Sequence, residues 1–140
     1  DFLEDGYTKE EIKMRNETRK ILHLPELPVA TTCVRVPTMI GHAETVHAEF
    51  DRPVDLGALH EALRNQPGIK VSEGLEDSPT PLSSEGDDLT HVGRLRPDPT
   101  VPDGRGIVFW CVSDNLRKGA ATNAIQIAEE LISRKLLKRS

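Results

Sequence analysis

An arginine and a histidine set close together carry the clearest chemistry in this sequence. Arg35 lies in the run Thr31–Glu49, and His42 follows directly after Gly41. Between them stand Pro37 and Gly41, two residues that fix the path of a bend. A guanidinium is a planar fork that matches a carboxylate or a phosphate. An imidazole is the side chain best suited to move a proton near neutral pH. An anion drawn to Arg35 would thus come within reach of an acid/base at His42. Glu10, Lys13 and Glu17 add a second charged set. Their i, i+3, i+7 spacing places them on one helix face, which is either a solvated ion-pair face or one turned toward a small charged ligand. Asn115 stands between a strand end and a helix start, where an amide either faces a ligand or caps the helix.

Each of these residues also has a plain structural reading. A histidine after a glycine can simply be exposed. A charge within an apolar strand needs a partner, and Glu10, Glu17 and Glu44 are candidates for Arg35. His23, His47, His60 and His91 have no comparable setting and read as surface or packing residues. Cys33 and Cys111 flank valines inside strand-like runs, away from any helix N-terminus, and read as buried, inert thiols. Two cysteines are too few for a disulfide framework, and they show no metal-ligand spacing, so no metal site is expected.

The elements that must hold these residues follow from local patterns. Asp1 to Gly6 is an acidic lead-in. Thr8 with Glu11 forms a capping-box pattern, which predicts a helix from about Lys9 to Leu22 with only sparse apolar positions at Ile12, Ile21 and Leu22. Pro25 and Pro28 lead into a first strand over Val29–Val36. A second strand, about Glu44 to Phe50, turns Val46, Ala48 and Phe50 one way and His47 and Glu49 the other. Asp55 caps a short helix with Leu56, Leu59 and Leu63 inward, Gly68 lies beyond its end, and Ile69–Val71 reads as a short strand. Ser72 to Asp88 is polar and aperiodic, a loop expected to be mobile. Thr90–Arg96 alternates as a strand with Arg94 and Arg96 on one face. Asp103-Gly104 marks a turn, and Gly106–Val112 is a buried strand. The segment from Ser113 to Asn123 opens a last helix. Its stripe of Ala121, Ala124, Ile125, Ala128, Leu131 and Ile132 is expected to pack closely on a sheet. The basic tail Arg134–Ser140 is expected to fray.

About five strands and three helices, with hairpin-like neighbours, predict an α+β fold. Its sheet should be mixed or largely antiparallel, with helices packed on one face. The 140 residues fit a single domain with a real core, and 36% hydrophobic content in periodic blocks excludes a disordered chain. No apolar run is long enough to cross a bilayer, and no signal-peptide pattern opens the chain. A net charge of −5 argues against a nucleic-acid partner. A cytoplasmic setting is expected. The sequence has no Gly-x-Gly-x-x-Gly, no Walker loop and no internal repeat. It opens at Asp1 without a methionine, which suggests an excised or processed piece.

Four blocks, in order, carry a family resemblance. They are Lys9-Glu10-Glu11-Ile12-Lys13 with Asn16-Glu17-Thr18; Thr32-Cys33-Val34-Arg35-Val36-Pro37 with Gly41-His42; Val92-Gly93-Arg94-Leu95-Arg96; and Asp114 to Asn123 with Gln126-Ile127-Ala128-Glu129. Together they resemble the C-terminal catalytic and dimerisation domain of bacterial aspartate-β-semialdehyde dehydrogenase, over nearly the whole chain. The resemblance implies a glyceraldehyde-3-phosphate-dehydrogenase-like C-terminal domain, here incomplete, with the nucleotide-binding domain absent. It implies NADPH-dependent reduction of aspartyl phosphate to aspartate semialdehyde with release of phosphate, on the route to lysine, threonine and methionine. By resemblance, His42 is the acid/base, Arg35 holds the substrate carboxylate, Glu10 meets its amino group and Lys13 its phosphate. Asn115 would lie near the nicotinamide of NADP, which the missing domain would mainly bind. A homodimer or higher homo-oligomer is implied as well.

The family's catalytic cysteine and its glutamine partner precede the matched region. Cys33 belongs to a motif that recurs in the family as structure, so the chain alone is expected to be inactive. Two other readings compete: a non-catalytic dimerisation or ligand-binding module, and a related acyl-phosphate reductase such as N-acetylglutamyl-phosphate reductase. The Glu10, Lys13 and Arg35 set argues against the latter, because a free amino-acid head needs both an acid and a base to hold it.

Overall fold

A computed structural model describes residues 2–137; Asp1 of the lead-in and residues 138–140 of the basic tail lie outside the described residues. The chain forms two compact units that divide between Pro37 and Thr38.

In the first unit, helix α1 spans Lys9–Leu22, as the capping pattern predicts. Thr8 Oγ1 accepts the Glu11 N–H, and the Glu11 carboxylate takes the Thr8 N–H in return. The two side chains thereby satisfy two of the orphan donors of the first turn. His23 closes the helix in a left-handed conformation, φ 56°. The strand expected over 29–36 does not form: this stretch joins no sheet among the described residues, and Val34 and Val36 are exposed. β propensity alone does not make a strand, because ladder partners supply the backbone hydrogen bonds. Side-chain and carbonyl oxygens of Glu11 anchor the stretch instead. The Cys33 N–H donates to Glu11 Oε1, and the Thr31 hydroxyl donates to the Glu11 carbonyl.

The second unit is built on a four-stranded mixed sheet in the order β1-β4-β3-β2. Its strands are β1 (His42–Glu49), β2 (Ile69–Val71), β3 (Thr90–Pro97) and β4 (Gly106–Ser113). β4 pairs antiparallel with β1 and β3, and only β2 runs parallel to its neighbour. The core lies along the two central strands, where Val92, Ile107, Val108 and Val112 are buried. Helix α2 (Leu56–Arg64) starts at the Asp55 cap and packs beside β2 and β3 with Leu56, Leu59 and Leu63 half-buried. The α+β class with a mixed, largely antiparallel sheet is therefore the one expected from sequence.

Three details of this unit differ from expectation. Arg94 and Arg96 do not simply share a strand face, because a bulge between Gly93 and Arg96 shifts the register and Arg94 sits at φ 58°. Ser72–Asp88 is pinned rather than left free. A Cβ on Gly93 would come within 2.6 Å of Pro79 Cδ, and Trp110 Nε1 donates to the Pro79 carbonyl. The one-turn helix α3 (Pro81–Ser84) follows that contact and lies beside β4. Lastly, Arg117–Ala121 winds as a π turn before α4 (Thr122–Ser133) begins. Of the stripe expected to face a sheet, only Leu131 is half-buried, while Ala121, Ala124, Ile125, Ala128 and Ile132 are exposed. Among the described residues no strand covers that stripe.

Candidate functional site

Within the first unit, α1 displays Glu10 and Lys13 one turn apart, both exposed, with Lys13 Nζ 3.1 Å from Glu10 Oε1. The hydrogen bond to Glu10, then the charges of Glu10 and Glu17, raise the Lys13 pKa, so its cation is secure at neutral pH. Glu11, beside them, is buried and does a different job. Backbone N–H groups of Thr8 and Cys33 hold its pKa below the ordinary carboxylate value. That carboxylate ties the start of α1 to the extended stretch ending near Arg35. Arg35 itself is exposed and makes no hydrogen bond or ion pair among the described residues. The structural pairing with Glu10, Glu17 or Glu44 is not formed: Glu10 is taken by Lys13, and exposure removes the need for a partner. An open groove of about 470 Å³ in this unit is lined by Tyr7, Thr8, Glu11, Thr31 and Cys33, and by neither Arg35 nor Lys13.

In the second unit, His42 opens β1 opposite Ser113 and is exposed, with no side-chain hydrogen bond among the described residues. Asn115 is half-buried, and its Oδ1 accepts the Gly41 N–H at 2.8 Å. Asn115 does not cap the helix, and it is its neighbour that holds the turn leading into Arg117–Ala121. Asp114 Oδ1 accepts the N–H groups of Leu116 and Arg117, while Oδ2 accepts that of Gly86. The Gly86 N–H is the chief cause of a lowered Asp114 pKa, with those of Leu116 and Arg117 adding to it.

Cys33 and Cys111 are half-buried rather than buried. Burial, then the charge of Glu44 across the β1–β4 ladder, pushes Cys111 up to about 11, so it stays protonated at neutral pH. Cys33 Sγ lies 3.4 Å from the Met14 thioether.

Sequence reading missed two histidine–aspartate pairs. His91, read as a surface or packing residue, is buried with Nε2 2.8 Å from Asp87 Oδ2. His47 Nδ1 lies 2.8 Å from the buried Asp98. The Thr100 hydroxyl, then His47, hold Asp98 down at about 2. The His47–Asp98 pair spans 51 positions and rests on tertiary placement, whereas Asp87 and His91 stand four residues apart, a spacing visible in the sequence. Asp114 could have been found, because Asp is as good a cap as Asn at a strand-to-helix junction.

The family described as "Semialdehyde dehydrogenase, dimerisation domain" matches residues 1–118 of this chain. The chain belongs to that family. It is 52% identical over 133 residues to an aspartate-semialdehyde dehydrogenase of Corynebacterium glutamicum, a match covering 94% of this chain and 38% of the relative. An Aquifex aeolicus protein of the same name is 45% identical, with 97% and 40% covered. Among solved structures, aspartate semialdehyde dehydrogenase II of Vibrio cholerae, complexed with ASA, superposes with a TM-score of 0.88 at 47% identity, over 95% of this chain and 39% of that one. The chain thus spans about two-fifths of the length of these relatives. Its fold agrees with the glyceraldehyde-3-phosphate-dehydrogenase-like C-terminal domain that the resemblance implied.

Proposed function

We propose that this semialdehyde dehydrogenase dimerisation domain supplies the substrate-holding and proton-moving part of an NADP-dependent aspartate-semialdehyde dehydrogenase. One observation carries the reading: the family match over residues 1–118 takes in Glu10, Lys13, Arg35, His42 and Asn115. The local chemistry supports the assignment. The exposed guanidinium of Arg35, without a partner among the described residues, is available for bidentate hydrogen bonds to a carboxylate. Glu10 and Lys13 offer one negative and one positive group, fitting a substrate amine and a phosphate. His42, without a hydrogen-bonded partner on its ring among the described residues, can give and take a proton at the reacting carbon's oxygen.

When bound, the nicotinamide cofactor would supply hydride as NADPH or accept it as NADP. Asn115 is the residue here suited to its nicotinamide, since Nδ2 makes no hydrogen bond among the described residues and can donate to a carboxamide oxygen. The nucleophilic cysteine and most of the nucleotide contacts come from outside this chain, in keeping with the raised Cys111 pKa and the absence of a glycine-rich phosphate loop from the sequence. Exposed apolar side chains in each unit, such as Val34 and Ile125, favour a homo-oligomeric enzyme, and we propose a cytoplasmic setting for it.

The test is phosphate-dependent oxidation of aspartate semialdehyde with NADP by the full-length enzyme containing this chain. Wild type should turn over, and residues 1–140 alone should give no rate above blank. Preference for an N-acetylated substrate would move the assignment to the related acyl-phosphate reductase. Activity of residues 1–140 alone, abolished by Cys33→Ala, would overturn the division of labour.

A further inference from the structure

The His42 side chain makes no hydrogen bond among the described residues, so its placement comes from the backbone on either side. On one side the β1–β4 register sets it across from Ser113. On the other, Gly41 adopts φ +99°, a conformation that favours glycine. A Cβ there would meet Pro81 Cβ and the Ser113 carbonyl oxygen at 3.4 Å. The Gly41 N–H, one residue before the histidine, donates to Asn115 Oδ1 at 2.8 Å, a tie across 74 positions of sequence. Asn115 is itself held, because Asp114 gathers the N–H groups of Gly86, Leu116 and Arg117 around the same turn.

We infer that Asn115 is a positioning residue for His42, acting through the Gly41 peptide as well as toward the cofactor. The inference rests on the reading of His42 as the acid/base. Under it, one amide has two tasks: Oδ1 fixes the loop carrying the proton-transfer group, and Nδ2 remains for the nicotinamide. Loss of the first task should appear in kcat, since a small misplacement of a catalytic group is costly at the transition state. Loss of the second should appear in the KM for NADP.

The experiment uses the full-length enzyme and three variants, with melting temperature recorded to establish folding. Asn115→Ala should lower kcat roughly tenfold, the order expected for one lost hydrogen bond. Asn115→Asp keeps an acceptor for the Gly41 N–H but loses the amide donor, so it should recover most of that kcat while the KM for NADP stays raised. Gly41→Ala leaves Asn115 intact and should lower kcat with the KM for NADP within about twofold of wild type. The inference is overturned if Asn115→Ala and Asn115→Asp show equal kcat and differ from wild type in KM for NADP alone. It is equally overturned if a folded Gly41→Ala enzyme keeps its kcat. Failure of the underlying reading looks different: His42→Gln would then turn over like wild type.

Discussion

Up to Pro37, one buried carboxylate makes the ties between distant residues: Glu11 closes the capping box with Thr8 and also receives the Cys33 N–H. Beyond Thr38, several side chains divide that work. Asp114 reaches Gly86, Asn115 reaches Gly41, Asp87 meets His91 and Asp98 meets His47. The charged residues proposed to hold substrate lie in the first unit, and the proposed acid/base lies in the second. The difference teaches that Glu10 and Lys13, proposed for recognition, sit on a helix specified by its own sequence, whereas the proposed acid/base opens a strand whose approach at Gly41 is held by a tertiary contact.

Substitutions can break or sharpen that contrast. His42→Gln in the full-length enzyme should lower kcat by about 10²–10⁴-fold with little change in substrate KM, measured by steady-state kinetics. Arg35→Lys keeps the charge but loses the bidentate fork, so kcat/KM should fall roughly 10- to 100-fold, with most of the loss in KM. If the two variants gave the same split between kcat and KM, the units would not differ in role. Gly93→Ala drives a Cβ into Pro79 and should destabilise the second unit by about 1–3 kcal/mol, seen as a lowered melting temperature. Thr8→Ala removes the α1 cap and should cost about 0.5–2 kcal/mol, with faster hydrogen exchange confined to the first turn of α1.

A further effect should show in how stability varies with pH. Asp98 titrates at about 2 in the folded chain, below its unfolded value of roughly 3.9, so it stabilises the fold above that unfolded value. The contribution is lost as pH falls through about 2. Asp98→Asn should therefore flatten the melting temperature against pH between these limits.

What was legible in the sequence follows the same contrast. Thr8, Glu11, Asp55 and the alternation in β3 and β4 act within a few residues, so α1, α2 and those strands could be read directly. The stretch 29–36 read as a strand because Val34 and Val36 alternate, yet a strand needs a neighbouring strand, and among the described residues this stretch joins no sheet. The α4 stripe misled for a similar reason: amphipathicity announces a face without saying what covers it. Arg35 and His42 were legible by type, and the support of His42 was not. Asn115 was singled out as a ligand-facing amide, but its bond to Gly41 spans too much sequence for any spacing rule to reveal.

The hydrogen bond from Trp110 to the Pro79 carbonyl has a practical consequence. Trp110 is the only tryptophan in the sequence, so its emission reports on one place: the point where the 72–88 segment is fastened over Gly93. A red-shifted spectrum or new access to a collisional quencher would record that segment lifting away before the rest of the sheet unfolds, which makes the chain its own optical gauge of local opening.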